Sequence, residues 1–217
     1  MVSVTGVDLA HLRRLLHDIV VSEVDGKWDL FWAQAKMYLR RVGLESVLDY
    51  RVVFRRVEFN AEGRPPFIDV FAILANERCS NIVPVGVEVK VTDAVDAGQV
   101  GKEVELIPRF MAGDYRRRYG FLASLRSHCS GGGLMLSNRR IFILIAPGVV
   151  VKRVDELIKA RKGELAKVDS YYRENNFKHV VIPLEQVLEW LSVKRDLEEM
   201  LSDWDLVALR RFPEKLW

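Results

Sequence analysis

Residues 66–93 constrain this chain more than any other stretch. They contain two apolar runs, 67–74 and 82–91, joined by a polar connection, and each carries charge where a buried strand should carry none. Asp69 sits among Phe67, Ile68, Val70, Phe71, Ile73 and Leu74, and Glu88 and Lys90 sit between Val85 and Val91. Strand side chains alternate between faces, so Glu88 and Lys90 share one face while Val87, Val89 and Val91 share the other. An acid and a lysine are thereby fixed side by side, with a second acid on the strand expected next to them. A solvated strand face accounts for Glu88 and Lys90 as an exposed charge pair of little energetic weight. It does not account for Asp69, which is poor strand material and needs a partner between apolar neighbours.

The flanking sequence supplies a frame for these runs. Leu9, Leu12, Leu15, Leu16, Ile19 and Val20 recur at helical spacing over 7–21, with Asp8 as a cap. Trp28, Phe31, Trp32, Ala35, Leu39 and Val42 do the same over 27–43, stopped by Gly43, and this aromatic stripe reads as core packing. Both helices are expected against a sheet, as a lid or a dimer element. A strand over 48–59 changes its apolar phase between Phe54 and Val57, as a bulge would cause, and Pro65-Pro66 marks a turn before the two charged runs. Together these strands make an antiparallel meander.

A helix is expected over 92–111, capped by Thr92 or Asp93 and disturbed by Pro108. A glycine loop around Gly131–Gly133 follows, without the lysine or the strand–helix setting of a phosphate-binding loop. Residues 141–146 read as a buried strand, 154–172 as a helix, 180–183 as a short strand and 184–201 as a helix, with a further helical piece in the tail. The order αα, βββ, α, β, α, β, α gives an α/β fold, a mixed sheet flanked by helices, with extra N- and C-terminal helices.

At 217 residues, 49% hydrophobic and 29% charged, the chain is expected to form a single domain. No apolar run reaches membrane-span length, and 1–21 is broken by Asp8, Arg13, Arg14 and Asp18, so no membrane and a cytoplasmic location are expected. In that setting Cys79 and Cys129 are expected as reduced thiols. The four histidines are scattered and match no zinc spacing. Abundant Arg and Val with few Asn and Gln lean toward a thermophile.

Two carboxylates converging at a strand end can hold Mg²⁺ or Mn²⁺, and a lysine beside them can position water and offset phosphate charge. Asp69 followed by Glu88-Val89-Lys90 resembles the D…(D/E)-x-K signature of the PD-(D/E)XK nuclease superfamily, which includes restriction endonucleases, archaeal Holliday junction resolvases and RecB-type nucleases. The archaeal resolvases and the small nuclease-like proteins of crenarchaeal viruses are the nearest comparison. The resemblance covers about residues 28–147, leaving 148–217 as a C-terminal elaboration of the single domain 1–217.

The resemblance implies a restriction-endonuclease-like sheet and a Mg²⁺- or Mn²⁺-dependent DNA endonuclease, a hydrolase leaving 5′-phosphate and 3′-hydroxyl ends on branched or junction DNA. Asp69, Glu88 and the Val89 carbonyl would be metal ligands, and Lys90 the catalytic lysine. Gln99 on the following helix would contact water or DNA. A homodimer is implied, with the aromatic second helix at its interface. The position before Asp69 is Ile68 rather than proline, and the gap to Glu88 is long. The family often adds an acid from the first helix. Glu23 and Glu45 flank helix 2, and Glu58 on the first strand is a third option. Arg55, Arg56, Arg116, Arg117, Arg118, Arg139 and Arg140 are candidate DNA contacts, although each cluster also reads as a solvated face. The alternatives are a catalytically silent DNA-binding or assembly protein on the same fold, or a nuclease acting on RNA.

Overall fold

The chain folds as α1 (Leu9–Gly26), α2 (Trp28–Arg41), β1 (Arg51–Phe59), β2 (Ile68–Ala75), β3 (Asn81–Val89), α3 (Ala97–Ala112), β4 (Met135–Leu136), β5 (Arg140–Ala146), α4 (Val151–Ala166), α5 (Ser170–Arg173), β6 (Phe177–Pro183) and α6 (Leu184–Trp190). The computed structural model describes residues 9–59, 68–112, 129 and 135–193. Asp8 as a cap, the 61–66 turn, Arg116, Arg117 and Arg118, the Gly131–Gly133 loop and the tail beyond 193 lie outside these residues.

One mixed sheet runs in the order β1-β2-β3-β5-β6, with the two-residue β4 attached to β3. β1, β2 and β3 form the expected antiparallel meander, and β3 continues in parallel to β5 and then β6. Burial on both faces explains the near-continuous apolar runs of β2, β3 and β5. Val70, Ala72, Val85, Val87, Val89, Ile143 and Ile145 pack on one face with α1, α2 and α6. Phe71, Ile73, Phe142 and Leu144 pack on the other with α3 and α4.

The aromatic stripe of α2 is consumed by the chain's own core: Trp28, Phe31, Trp32, Ala35 and Leu39 are buried. The aromatics therefore offer no interface, and α2 exposes Leu30 and Met37 instead. No helix among the described residues is long and apolar enough to cross a membrane.

Several boundaries differ from expectation, each for a local reason. The register shift of β1 falls between Val52 and Phe54, one step earlier than the apolar phase change. α3 begins at Ala97 because the Asp96 carboxylate, not Thr92 or Asp93, accepts the Gly98 N–H at 2.7 Å. It then runs past Pro108 to Ala112. The 154–172 helix is two helices, the second started by Asp169, whose Oδ1 accepts the Tyr171 N–H at 2.9 Å.

The cysteines also depart from expectation. Cys79, in the β2–β3 turn, and Cys129 form a disulfide with Cα atoms 5.5 Å apart. Fifty residues separate them in sequence, so only the tertiary fold brings them together.

Candidate active site

The site forms where the β2–β3 ladder ends. Pairing between these strands runs from Ala75↔Ile82 to Val70↔Val87. One step further, the Oδ2 of Asp69 accepts the backbone N–H of Val89 at 2.7 Å, where a strand carbonyl would otherwise be expected. The strands part there, and Asp69, only 8% exposed, is held at the parting.

Three neighbouring strands line up acids at this point. In β1, Val57 pairs with Val70 and Phe59 with Ile68, so the register sets Glu58 across from Asp69. In β3, the Val70↔Val87 pair sets Glu88 across from Asp69 on its other side. In backbone register Glu58, Asp69 and Glu88 thus occupy successive positions across β1, β2 and β3.

Glu88 and Lys90 lie on the same face, opposite the Val87–Val89–Val91 row that packs with α1 and α2. The Lys90 N–H is tied to the Ile145 carbonyl of β5 at 2.8 Å, which keeps its backbone in sheet geometry past the end of β3. Its Nζ donates to Glu88 Oε1 at 2.7 Å and to Glu103 Oε1 of α3 at 2.9 Å. Glu88 and Glu103 are 6% and 3% exposed, and the second oxygen of each is buried without a hydrogen-bond partner. Burial pushes the Glu88 carboxyl up to about 8, helped by the Asp69 charge and opposed by Lys90. Burial likewise raises Glu103, again against Lys90. For Lys90, burial alone would lower the pKa, but its two carboxylate partners outweigh that and raise it, so it is an ammonium.

α1 contributes a residue the sequence reading passed over. His17 Nε2 lies 3.3 Å from Asp69 Oδ2. The hydrogen bond with Asp69 raises the imidazole to about 9, against the opposing effect of burial. Glu103 was missed as well, although it falls between the fully buried Val100 and Val104 and so lies on the buried side of α3. His17 carried a similar sign, since a step of three and then one of four put it on one stripe with the buried Val20 and Val24. Gln99, one turn before Glu103, is exposed, and its side chain works against the raised pKa of Glu103.

The other expected residues are dispersed. Glu23 of α1 is ion-paired at 2.6 Å with Lys27, between α1 and α2, and it lies six residues beyond His17 and so on another side of the helix. Glu45 is exposed in the 3-10 turn leading into the Arg51 end of β1, which pairs with Ala75 rather than with the Asp69 end. Arg55 pairs with Asp25 of α1, and Arg56 is exposed on the same strand. Arg139 is exposed and donates to Ser46 Oγ at 3.0 Å. Arg140 must be withdrawn as a nucleic-acid contact: it is 4% exposed and its guanidinium turns back onto the carbonyls of Ser137 and Arg139.

Among the described residues no three His, Cys, Asp or Glu side chains converge as a ready metal cage. Mg²⁺ needs less than a full protein cage, taking one or two carboxylates and keeping several waters. The buried, unpartnered Glu88 Oε2 fits such a ligand, because a bound cation would satisfy an oxygen that the protein leaves bare. No protein-family model, curated protein or solved structure matches this chain.

Proposed function

We propose that this protein is a metal-dependent DNA endonuclease with a restriction-endonuclease-like core. The observation that carries the reading is the convergence of Asp69, Glu88 and Lys90 at one parted end of the sheet, with one carboxylate oxygen buried and bare. The order of a helix, an antiparallel meander, a helix and a strand parallel to the third strand of the meander supports the fold assignment.

Asp69, Glu88 and the Val89 carbonyl would hold Mg²⁺ or Mn²⁺, with Glu58, in register with Asp69 on β1, as the candidate third acid. Such a cation, when bound, supplies charge for a phosphate and acidifies water. Lys90 works as a fixed positive charge rather than as a base, since two carboxylates keep it protonated. Its place beside Glu88 suits it to steady a phosphate oxygen as negative charge grows there. Gln99, exposed one turn before Glu103 on α3, would contact water or the substrate. Branched or junction DNA and a homodimer cutting both strands belong to this reading, as does a cytoplasmic location. The disulfide is compatible with that location, because Cys79 is 2% exposed and poorly reached by reductants. Disulfides inside cells are known in hyperthermophiles.

A second reading, a silent DNA-binding protein on the same fold, is favoured by one observation. Asp69 Oδ2 is already shared between the Val89 N–H and His17. The deciding experiment offers four-way junction, flap, duplex and single-stranded DNA, and RNA, with Mg²⁺, Mn²⁺ or EDTA, to the wild type, Asp69→Ala and Lys90→Ala. Metal-dependent cleavage lost in both variants supports the nuclease. Binding without cleavage supports the silent protein, and cleavage that persists in EDTA or in both variants defeats the assignment.

A further inference from the structure

Two contacts fix the course of α1 over the sheet. Its Asp25 carboxylate holds Arg55 of β1, whose partner in β2 is Ala72. Eight residues earlier in the same helix, His17 meets Asp69. Followed toward its N-terminus, the helix therefore travels along β2 from Ala72 to Asp69, and its next turn passes the ends of the strands. That turn carries Arg13. It lies about 6 Å along the axis from His17 and within about 40° of it around the helix. Helical side chains also lean toward the N-terminus, so Arg13 extends further past the parted strands.

Arg13 is partly buried, and its Nε is shut off from solvent with no hydrogen-bond partner. It makes no ion pair among the described residues. Asp69, Glu88 and Glu103 are all bonded to other donors, and none of them pairs with it. A buried donor left bare is destabilising, which makes it a poor device for holding the fold. The outer nitrogens of the guanidinium are not shut off in this way, and a ligand oxygen would meet the side chain there. A guanidinium presents a planar fork of donors matched to two oxygens of one phosphate.

We propose that Arg13 grips a backbone phosphate of the nucleic-acid substrate, beside the carboxylates of the site. This rests on the nuclease reading and names the group that fixes the strand's phosphate in register with Asp69 and Glu88. Arg13 is a substrate contact, so its removal weakens binding of any sequence alike and lowers the salt dependence of binding by one phosphate contact.

The test titrates labelled junction and single-stranded oligonucleotides against wild type, Arg13→Gln and Arg13→Lys between 50 and 200 mM salt, with Ca²⁺ in place of Mg²⁺. For Arg13→Gln the expected result is a loss of about fivefold or more in affinity and a log–log salt slope smaller by about one. Arg13→Lys keeps the slope, because it keeps the charge, but loses about threefold or more with the fork. Circular dichroism melts check folding, and if Arg13→Gln does not fold, an undiminished affinity in Arg13→Lys overturns the proposal. Equal affinity and slope for wild type and Arg13→Gln overturn it while the nuclease reading stands. A wild type that neither binds these oligonucleotides nor cleaves them with Mg²⁺ or Mn²⁺ overturns both.

Discussion

The carboxylate of Asp69 bonds the backbone N–H of Val89 at 2.7 Å, so a side chain from one strand closes a ladder position on the next. Asp69 is consequently structural as well as the metal ligand of the proposed reading, and two substitutions separate the roles. Asp69→Asn keeps an acceptor for Val89 and removes the charge, whereas Asp69→Ala also leaves a buried N–H unsatisfied, at about 1–3 kcal/mol. Urea melts are expected to place Asp69→Ala below Asp69→Asn by that margin, while cleavage falls at least about a hundredfold in both. Equal stabilities would show that the bond to Val89 is not needed at this position.

Among the upstream acids the register favours Glu58. Glu58 stands across from Asp69, Glu23 is paired with Lys27, and Glu45 is exposed at the other end of β1. Glu58→Gln is therefore expected to lower metal-dependent cleavage about tenfold or more and to raise the Mn²⁺ concentration needed for half-maximal rate. Glu23→Gln and Glu45→Gln are expected to stay within about twofold of wild type. Loss in Glu23→Gln with a normal Glu58→Gln would reverse the assignment.

Among the described residues Lys90 is the single cation between Glu88 and Glu103. Lys90→Ala leaves these two buried carboxyls without it, and breaking a buried pair in this way costs about 3–5 kcal/mol at a pH where both are ionised. Glu88 and Glu103 both have raised pKa values, so lowering the pH protonates them more readily than ordinary carboxyls and removes the repulsion. The stability gap between wild type and Lys90→Ala is thus expected to narrow as pH falls from alkaline values through about 8. Denaturant melts at several pH values measure it, and a gap independent of pH would contradict the arrangement. Lys90→Met combined with Glu103→Gln should recover part of the loss without restoring cleavage.

Much of this site was legible because period-two alternation is a local property. It put Glu88 and Lys90 on one face and the three valines on the other, and the meander followed from apolar runs separated by turns. What stayed hidden depends on how elements far apart in sequence meet. His17 reaches Asp69 only because α1 crosses the parted strands, and Glu103 reaches Lys90 only because α3 folds back on the sheet. Both lie on apolar helix stripes, which was a readable sign that neither faces solvent. Arg140 misled for the opposite reason: composition marks arginine as exposed, but this one starts a central strand, is buried, and turns its Nη1 onto two nearby carbonyls.

His179 of β6 gives a pH dependence away from the site. Its Nε2 bonds Asp155 Oδ1 at 2.9 Å, and its Nδ1 is buried and meets no partner among the described residues. Protonating Nδ1 would bury a charged donor without an acceptor. Burial, then Lys162, accordingly lower the imidazole from 6.5 to about 4, although Asp155 opposes them. The folded state takes up this proton later than the unfolded state does. The contribution of His179 to stability is present above pH 6.5 and is lost as pH falls toward 4, up to about 3 kcal/mol. His179→Gln keeps a donor for Asp155 and cannot titrate, so the wild type should lose stability relative to it across that window. Parallel curves for the two proteins would exclude His179 as the group responsible.

The disulfide encloses the chemistry without touching it. Cys79 to Cys129 spans 50 residues, a loop that contains Glu88, Lys90, Gln99 and Glu103. Closing a loop of that length restricts the unfolded chain by about 4 kcal/mol in the entropic model. For a chain of this size such a loss corresponds to a melting temperature lower by about 10 °C. Cys79 lies just before Asn81 at one end of β3, and the site lies at the Val89 end, eight residues or about 26 Å away. Cys79→Ser with Cys129→Ser is therefore expected to melt about 10 °C lower while cleaving at wild-type rate well below its melting point. Calorimetry with and without a phosphine reductant checks the first half, and cleavage at 25 °C checks the second. Unchanged melting would remove the stabilising role, and a large loss of rate in a folded double variant would place the bond in the site's own machinery.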